Sequence, residues 1–151
     1  MPKKIPGTDN RVLYVCKLLN RYEVDYLVAG AVAANLHGTL RSTKDIDLLV
    51  PKNLENMKRL LDALSELPYG IAKDIDAEEI VHKPFTIVGD DPRVDILTVA
   101  GKTTYERARR RKKIRKVSGI PIPYLGLSDL IDSKKTGRPQ DEADLQVLIK
   151  K

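Results

Sequence analysis

Cysteine is nearly missing from the 151 residues: Cys16 stands alone, alongside one phenylalanine and no tryptophan. A lone thiol cannot form a disulfide within the chain, and a reducing cytoplasm is the expected setting. Cys16 falls among Val12, Leu13, Val15 and Leu19, so it reads as a small buried hydrophobe and not as a reactive thiol. The shortage of large aromatics argues against a base-stacking platform for single strands. No apolar run approaches the length of a membrane span, and the N-terminus has no signal-peptide stretch, so no membrane partner is expected. Histidine is equally scarce. Of the two, His82 reads as structural and His37, beside Gly38, as a capping or packing residue.

What is present describes a soluble globular chain: 42% of residues are hydrophobic and 32% charged. Residues 1–151 are expected to make a single domain with a sizeable core. A net charge of +6 and a pI near 9.4 fit an anionic partner. Much of the excess is local. In residues 107–116, which begin with Arg107 and end with Lys116, only Ala108 and Ile114 are uncharged. Such a cluster suits RNA, with tRNA as one candidate, or it forms an ordinary solvated face; both readings stand.

Taken in order, residues 1–7 read as a loose basic lead-in, and Thr8 or Asp9 can cap a helix over residues 10–21. An apolar strand at 25–30 stops at Gly30, and a short helix follows from Ala31 to Leu36. Residues 46–50 form a second strand. Asn53 caps a helix to about residue 66, whose Leu54, Met57, Leu60, Leu61 and Leu64 recur at helical spacing. Residues 71–73 and 85–88 are short strand candidates in a stretch punctuated by proline and glycine. Asp74, Asp76, Glu78 and Glu79 there read as surface solvation. Residues 93–99 form another strand, and residues 103–112 a helix carrying the basic cluster. Residues 114–117 and 120–124 make a hairpin turned at Gly119. Ser128 caps a helix over residues 129–136, and residues 141–149 close the chain as a helix. This order predicts an α/β (α+β) fold: a mixed sheet flanked by helices, with helices at the C-terminal end.

Two strands carry residues that folding alone does not favour. Asp45 and Asp47 bracket Ile46 at the head of an apolar run, and in a strand such i, i+2 neighbours project from one face. Paired aspartates repel unless a cation sits between them. Hard divalent ions want such oxygen ligands and share them with substrate phosphates. Asp95, between Val94 and Ile96, repeats the pattern on a later strand.

This arrangement resembles the nucleotidyltransferase superfamily. Its signature is an apolar residue with Gly-Gly or Gly-Ser, a short gap, Asp-x-Asp, and a lone later carboxylate on another strand. Here the counterparts are Gly30-Ala31, a gap of thirteen residues, Asp45-Ile46-Asp47, and Asp95. Ala31 departs from the pattern and removes a hydroxyl that could donate to phosphate. The string from Arg41 through Thr43 to Asp47 is similar to small members of the AbiEii toxin and minimal nucleotidyltransferase groups. So is the C-terminal string from Asp129 and Lys134 through Gly137, Arg138 and Asp141 to Asp144. The resemblance spans roughly residues 10–150.

It implies transfer of NMP from an NTP to an acceptor hydroxyl on RNA, a protein or a small molecule, with Mg²⁺ or Mn²⁺ as cofactor. Asp45 and Asp47 would hold both metal ions and Asp95 one of them, with Asp95 also a candidate general base. Gly30 and Ala31 would let the backbone approach the triphosphate. Arg41, Thr43, Lys44, Lys134 and Arg138 would serve the nucleotide. An antitoxin-like partner or a homodimer is compatible with the small size. Two other readings stay open. One is a weak or inactive family member that binds nucleotide or RNA; the other is simple nucleic-acid binding through the basic cluster, which leaves the three acids unexplained.

Overall fold

The computed structural model describes residues 3–151. Strand β1 (Leu27–Ala29) is wholly buried and passes into helix α2 (Gly30–Leu36) with no connecting loop. Strand β2 (Ile46–Leu49) returns antiparallel to β1, with Ala29 opposite Asp47. Helix α1 (Arg11–Arg21) precedes this unit and α3 (Leu54–Leu64) follows it. The Asn53 side chain accepts from the Asn56 N–H at 2.8 Å, which supplies the expected cap of α3. Met57, Leu60, Leu61 and Leu64 of that helix, and Cys16 of α1, are buried in the core. Burial pushes the Cys16 thiol up to about 12, which makes it inert.

Strands β3 (Phe85–Val88) and β4 (Val94–Leu97) form one side of the sheet, and β5 (Lys113–Val117) and β6 (Ile120–Tyr124) the other. The order is β3-β4-β2-β1-β6-β5, with β4 parallel to β2, β6 parallel to β1 and the remaining pairs antiparallel. This is the mixed sheet that the chain order predicts. Ser118 and Gly119, both at positive φ, make the tight turn between β5 and β6, a geometry that matches strand twist. Helix α6 (Leu127–Ser133) and α7 (Pro139–Leu148) close the fold, and α7 starts with proline, whose missing N–H costs nothing at that position.

Several local expectations change. Residues 3–7 are seated, not loose: Ile5 is buried, Thr43 N–H donates to the Gly7 carbonyl at 2.8 Å, and Ser118 Oγ donates to the Lys3 carbonyl. Met1 and Pro2 lie outside the described residues. Ile71–Asp74 is a 3-10 turn and not a strand. The Asp90 carboxylate takes the N–H groups of Tyr69 and Ile71, donors that a strand would have sent to a neighbour. The helix expected over 103–112 shrinks to α5 (Tyr105–Ala108) and a 3-10 turn (Arg109–Arg111). Like charges three and four residues apart weaken a longer helix there. Gly126, not Ser128, caps α6, because the chain turns with Gly126 against the Arg111 carbonyl, where a Cβ would stand 2.4 Å away. Asp74, Asp76, Glu78 and Glu79 are exposed as expected, and Asp76 also caps α4 (Ala77–Ile80).

The connection between α2 and β2 hangs on Asn35, which is buried. Its amide donates to the Thr8 hydroxyl at 3.0 Å and the Arg41 carbonyl at 2.8 Å, and its oxygen accepts from the Thr39 hydroxyl at 2.7 Å. Asn35→Ala should therefore cost about 2–3 kcal/mol and lower Tm by roughly 5–10 °C in thermal unfolding. Amide exchange at Thr43 should speed up with it; unchanged exchange there would show that Asn35 does not hold this segment.

Candidate active site

The site grows from the register of three strands. Asp47 on β2 is opposite Ala29 of β1 on one side and Asp95 of β4 on the other. Neighbouring strands lie about 4.8 Å apart, so the two acids share one patch of the sheet face. Burial, and then the negative charge of Asp95, push the Asp47 carboxyl up to about 6. Asp95 has a partner of its own: Arg93 donates to it from Nε at 2.8 Å and from a terminal nitrogen at 3.2 Å. Lys134 and Arg93 offset part of the penalty on Asp47.

Gly30 has a sharper purpose than backbone approach to a phosphate. Its φ is +61°, and a Cβ there would stand 1.9 Å from Asp47 Oδ2. Only glycine lets β1 turn into α2 under that carboxylate.

A cavity of about 910 Å³ opens over this patch. It is lined by Gly30, Ala31, Arg41, Asp47, Asp95, Lys134 and Arg138. Seven of the ten residues singled out from sequence thus meet at one place. The other three, Thr43, Lys44 and Asp45, line a separate hollow with Thr8 and Asp9. Asp45 stands one residue ahead of β2, and its charge acts, with those of Asp47 and Asp95, on Arg93 of the main cavity. Among the described residues, no three acidic, histidine or cysteine side chains converge into a metal cage.

The C-terminal residues reach the cavity through a charge network. Lys134 is buried, with Nζ 2.7 Å from Asp144 Oδ2 and 3.5 Å from Asp141 Oδ1. Arg41 also meets Asp144, at 3.1 Å, and Arg138 meets Asp141 at 3.0 Å. Burial raises the Asp141 carboxyl, but the Thr136 hydroxyl and the charges of Lys134 and Arg138 outweigh it and hold the group below its ordinary value. Asn35, Arg93, Asp141 and Asp144 received no role from the sequence. The three-residue spacing of the two aspartates, which puts them on one helix face, was the available signal.

His37 packs, as expected: its Nε2 donates to the Leu125 carbonyl at 2.7 Å and its ring meets Tyr124 edge-on at 5.0 Å. The basic cluster lies elsewhere, on the far edge strand β5 and the turn before it. Arg111 grips Asp129 with two bonds and Arg109 meets Glu106. Arg107, Arg110, Lys112, Lys113, Arg115 and Lys116 have no ion pair among the described residues.

Comparison with solved structures matches this architecture. A proposed nucleotidyltransferase from Thermotoga maritima superposes with a TM-score of 0.56 at 18% identity, covering 93% of this chain and 91% of its own. The chain has a nucleotidyltransferase-like fold. An antigenic nucleotidyltransferase-like protein from Paracoccidioides brasiliensis gives a TM-score of 0.54 at 15% identity, over 93% of this chain and 72% of that one. No protein-family model matches the sequence, and no curated protein does. Among the described residues no helix is long and apolar enough to cross a membrane.

The raised Asp47 carboxyl carries a stability consequence with a definite sign. Unfolded, the group titrates near 3.8; folded, near 6. Well below pH 3.8 it is protonated in both states and costs nothing; the cost grows as the pH rises through 3.8 and levels off above pH 6. Asp47→Asn should therefore stabilise the metal-free protein by roughly 1–3 kcal/mol at pH 7.5, and by almost nothing near pH 3.5. Denaturant unfolding at the two pH values checks it, and an equal gain at both would exclude this origin.

Proposed function

We propose that the protein is a metal-dependent nucleotidyltransferase that moves NMP from an NTP to an acceptor hydroxyl. One observation carries the reading: two half-buried carboxylates on adjacent strands line a cavity that Arg41, Lys134 and Arg138 also line. Ligand pockets run to about 1,000 Å³, so a cavity of about 910 Å³ has room for a nucleotide and part of an acceptor.

Asp47 and Asp95 fit a Mg²⁺ or Mn²⁺ ion. They are hard oxygen donors, they repel each other, and two carboxylates are the number such an ion commonly takes when phosphates complete its shell. Bound there, the ion would neutralise phosphate charge and favour the ionised acceptor oxygen. Asp45 is the third candidate ligand; it borders the neighbouring hollow, and its charge reaches Arg93 beside Asp95.

In the reaction the acceptor oxygen bonds to the α-phosphorus and the bond from that phosphorus to the bridging oxygen breaks. Pyrophosphate leaves with the bonding pair, and the acceptor proton passes to the Asp95 carboxylate, the candidate general base, and from there to solvent. Arg138, three-quarters exposed and tethered only to Asp141 and Thr136, can swing onto the leaving phosphates. Lys134 is held by Asp141 and Asp144 and acts in place, as a fixed positive charge. Arg41 lines the same side. Thr43 and Lys44 stand with Asp45 and would join only with it. Ala31 offers phosphate its backbone N–H alone. The six basic residues on and before β5 that have no ion pair among the described residues favour RNA as acceptor, and the reducing cytoplasm suggested by one buried thiol would supply both substrates.

Calorimetry of each NTP with Mg²⁺ tests the core of this. At least one NTP should bind at micromolar to sub-millimolar Kd, and Asp47→Asn and Asp95→Asn should each weaken it tenfold or more. Gly30→Ala should abolish binding by displacing Asp47. No binding at millimolar NTP would defeat the catalytic reading.

A further inference from the structure

The sheet ends differently at its two edges, β5 and β3. Lys113, Arg115 and Lys116 guard β5, and charge on an edge strand is a common device against pairing with another chain. β3 carries no charge at all. Its Phe85 is 58% exposed and its Ile87 49%. An uncharged edge with two large apolar side chains is a surface built to be covered.

The backbone says what covers it. The Thr98 N–H donates to the Pro84 carbonyl at 3.0 Å, so even-numbered residues turn their peptide groups from β3 towards β4. The other side of β4 agrees: its Arg93 and Leu97 carbonyls accept from the N–H groups of Ile46 and Val50, towards β2. Phe85 and Ile87 therefore each present an N–H and a C=O along the outer edge. These four groups have no hydrogen-bond partner among the described residues.

The same four groups on a second copy satisfy them. Antiparallel pairing centred on Thr86 sets Phe85 of each copy opposite Ile87 of the other, and each such pair exchanges two hydrogen bonds. Directly opposed residues project from one face, so an aromatic side chain meets a β-branched one twice across the junction. Thr86 meets Thr86 on the other face. Across the junction one row then reads Asp95, Ile87, Phe85 of the second copy and that copy's Leu97. All four of these residues line the cavity.

Any extended strand would meet the hydrogen bonds; two features favour a second copy. The pairing is two-fold and closed, so the guarded β5 strands are the edges that remain. It also puts the two basic edges at opposite ends of the joined sheet, the arrangement that suits a chain of net charge +6.

We propose that the protein forms a two-fold dimer through its β3 strands, in which Phe85 and Ile87 of each copy close the β3 side of the other's cavity. The dimer does not depend on what the cavity binds.

Sedimentation equilibrium of the full chain tests it. The mass should rise from 16.9 kDa to twice that value and no further. The midpoint should fall between micromolar and sub-millimolar protein, because a short ribbon buries little surface. Ile87→Lys should weaken association at least tenfold and leave the Tm of the dilute monomer unchanged. Oxidative crosslinking then reads the register. Non-hydrogen-bonded antiparallel partners have Cα atoms about 4.5 Å apart, within disulfide reach, so Thr86→Cys should link into a covalent dimer. Ile87→Cys stands two residues out of register with its own copy, beyond that reach, and should stay unlinked. The buried Cys16 contributes no link in either variant. A mass that stays at 16.9 kDa in millimolar protein overturns the dimer and leaves the edge to a strand of a different protein. Assembly past the dimer overturns it as well. So does undiminished association of Ile87→Lys, or linking of Thr86→Cys no faster than that of Ile87→Cys.

Discussion

Repulsion between the Asp47 and Asp95 carboxylates, set on neighbouring strands, is the constraint around which the rest is arranged. A sheet can place two acids side by side cheaply at its edge; here they sit between β1 and β3, in its interior. Each accommodation is visible. Arg93 clasps one acid, the other keeps an affinity for protons, Gly30 gives up its side chain to make room, and Lys134 adds a positive field without touching either. Removing a buried charge's partner commonly costs several kcal/mol, so these compensations are coupled to the acids and not optional decoration.

The cationic wall is also expensive to build. Lys134 is buried, which for an ammonium group is tolerable only with close counter-charges, and Asp141 and Asp144 supply them. Because Asp144 also holds Arg41, the network ties α7 to the segment between α2 and β2. Asn35 fixes that segment from its other side. The cavity therefore depends on residues far apart in the chain, and its two walls are rigidly related through a few polar side chains.

Much of this was legible in the sequence because it violates folding logic. Acids inside apolar strands and a glycine ending one mark Asp47, Asp95 and Gly30 without any coordinates. Helix α3 and the β5–β6 hairpin were equally readable, from leucine spacing and a glycine turn. Asp45 was marked by the same pattern of acids, although it stands one residue ahead of β2 and borders the neighbouring hollow. The turn at Ile71–Asp74 was hidden, because its donors go to Asp90, a side chain remote in sequence. Sequence also cannot tell a buried lysine from a surface one. Lys134 took its identity from a resemblance, while its neighbours on α7 received no role.

The thiol of Cys16, sealed in the core and held protonated, leaves the molecule with no reactive sulfur at its surface. A second cysteine placed anywhere on that surface would be the sole target for a maleimide dye or a spin label. The protein is thus a clean host for site-specific labelling without prior cysteine removal. A label on β5 paired with one on a nucleic acid would turn the separation between the basic edge and the carboxylates into a ruler for how a polyanion lies across the sheet.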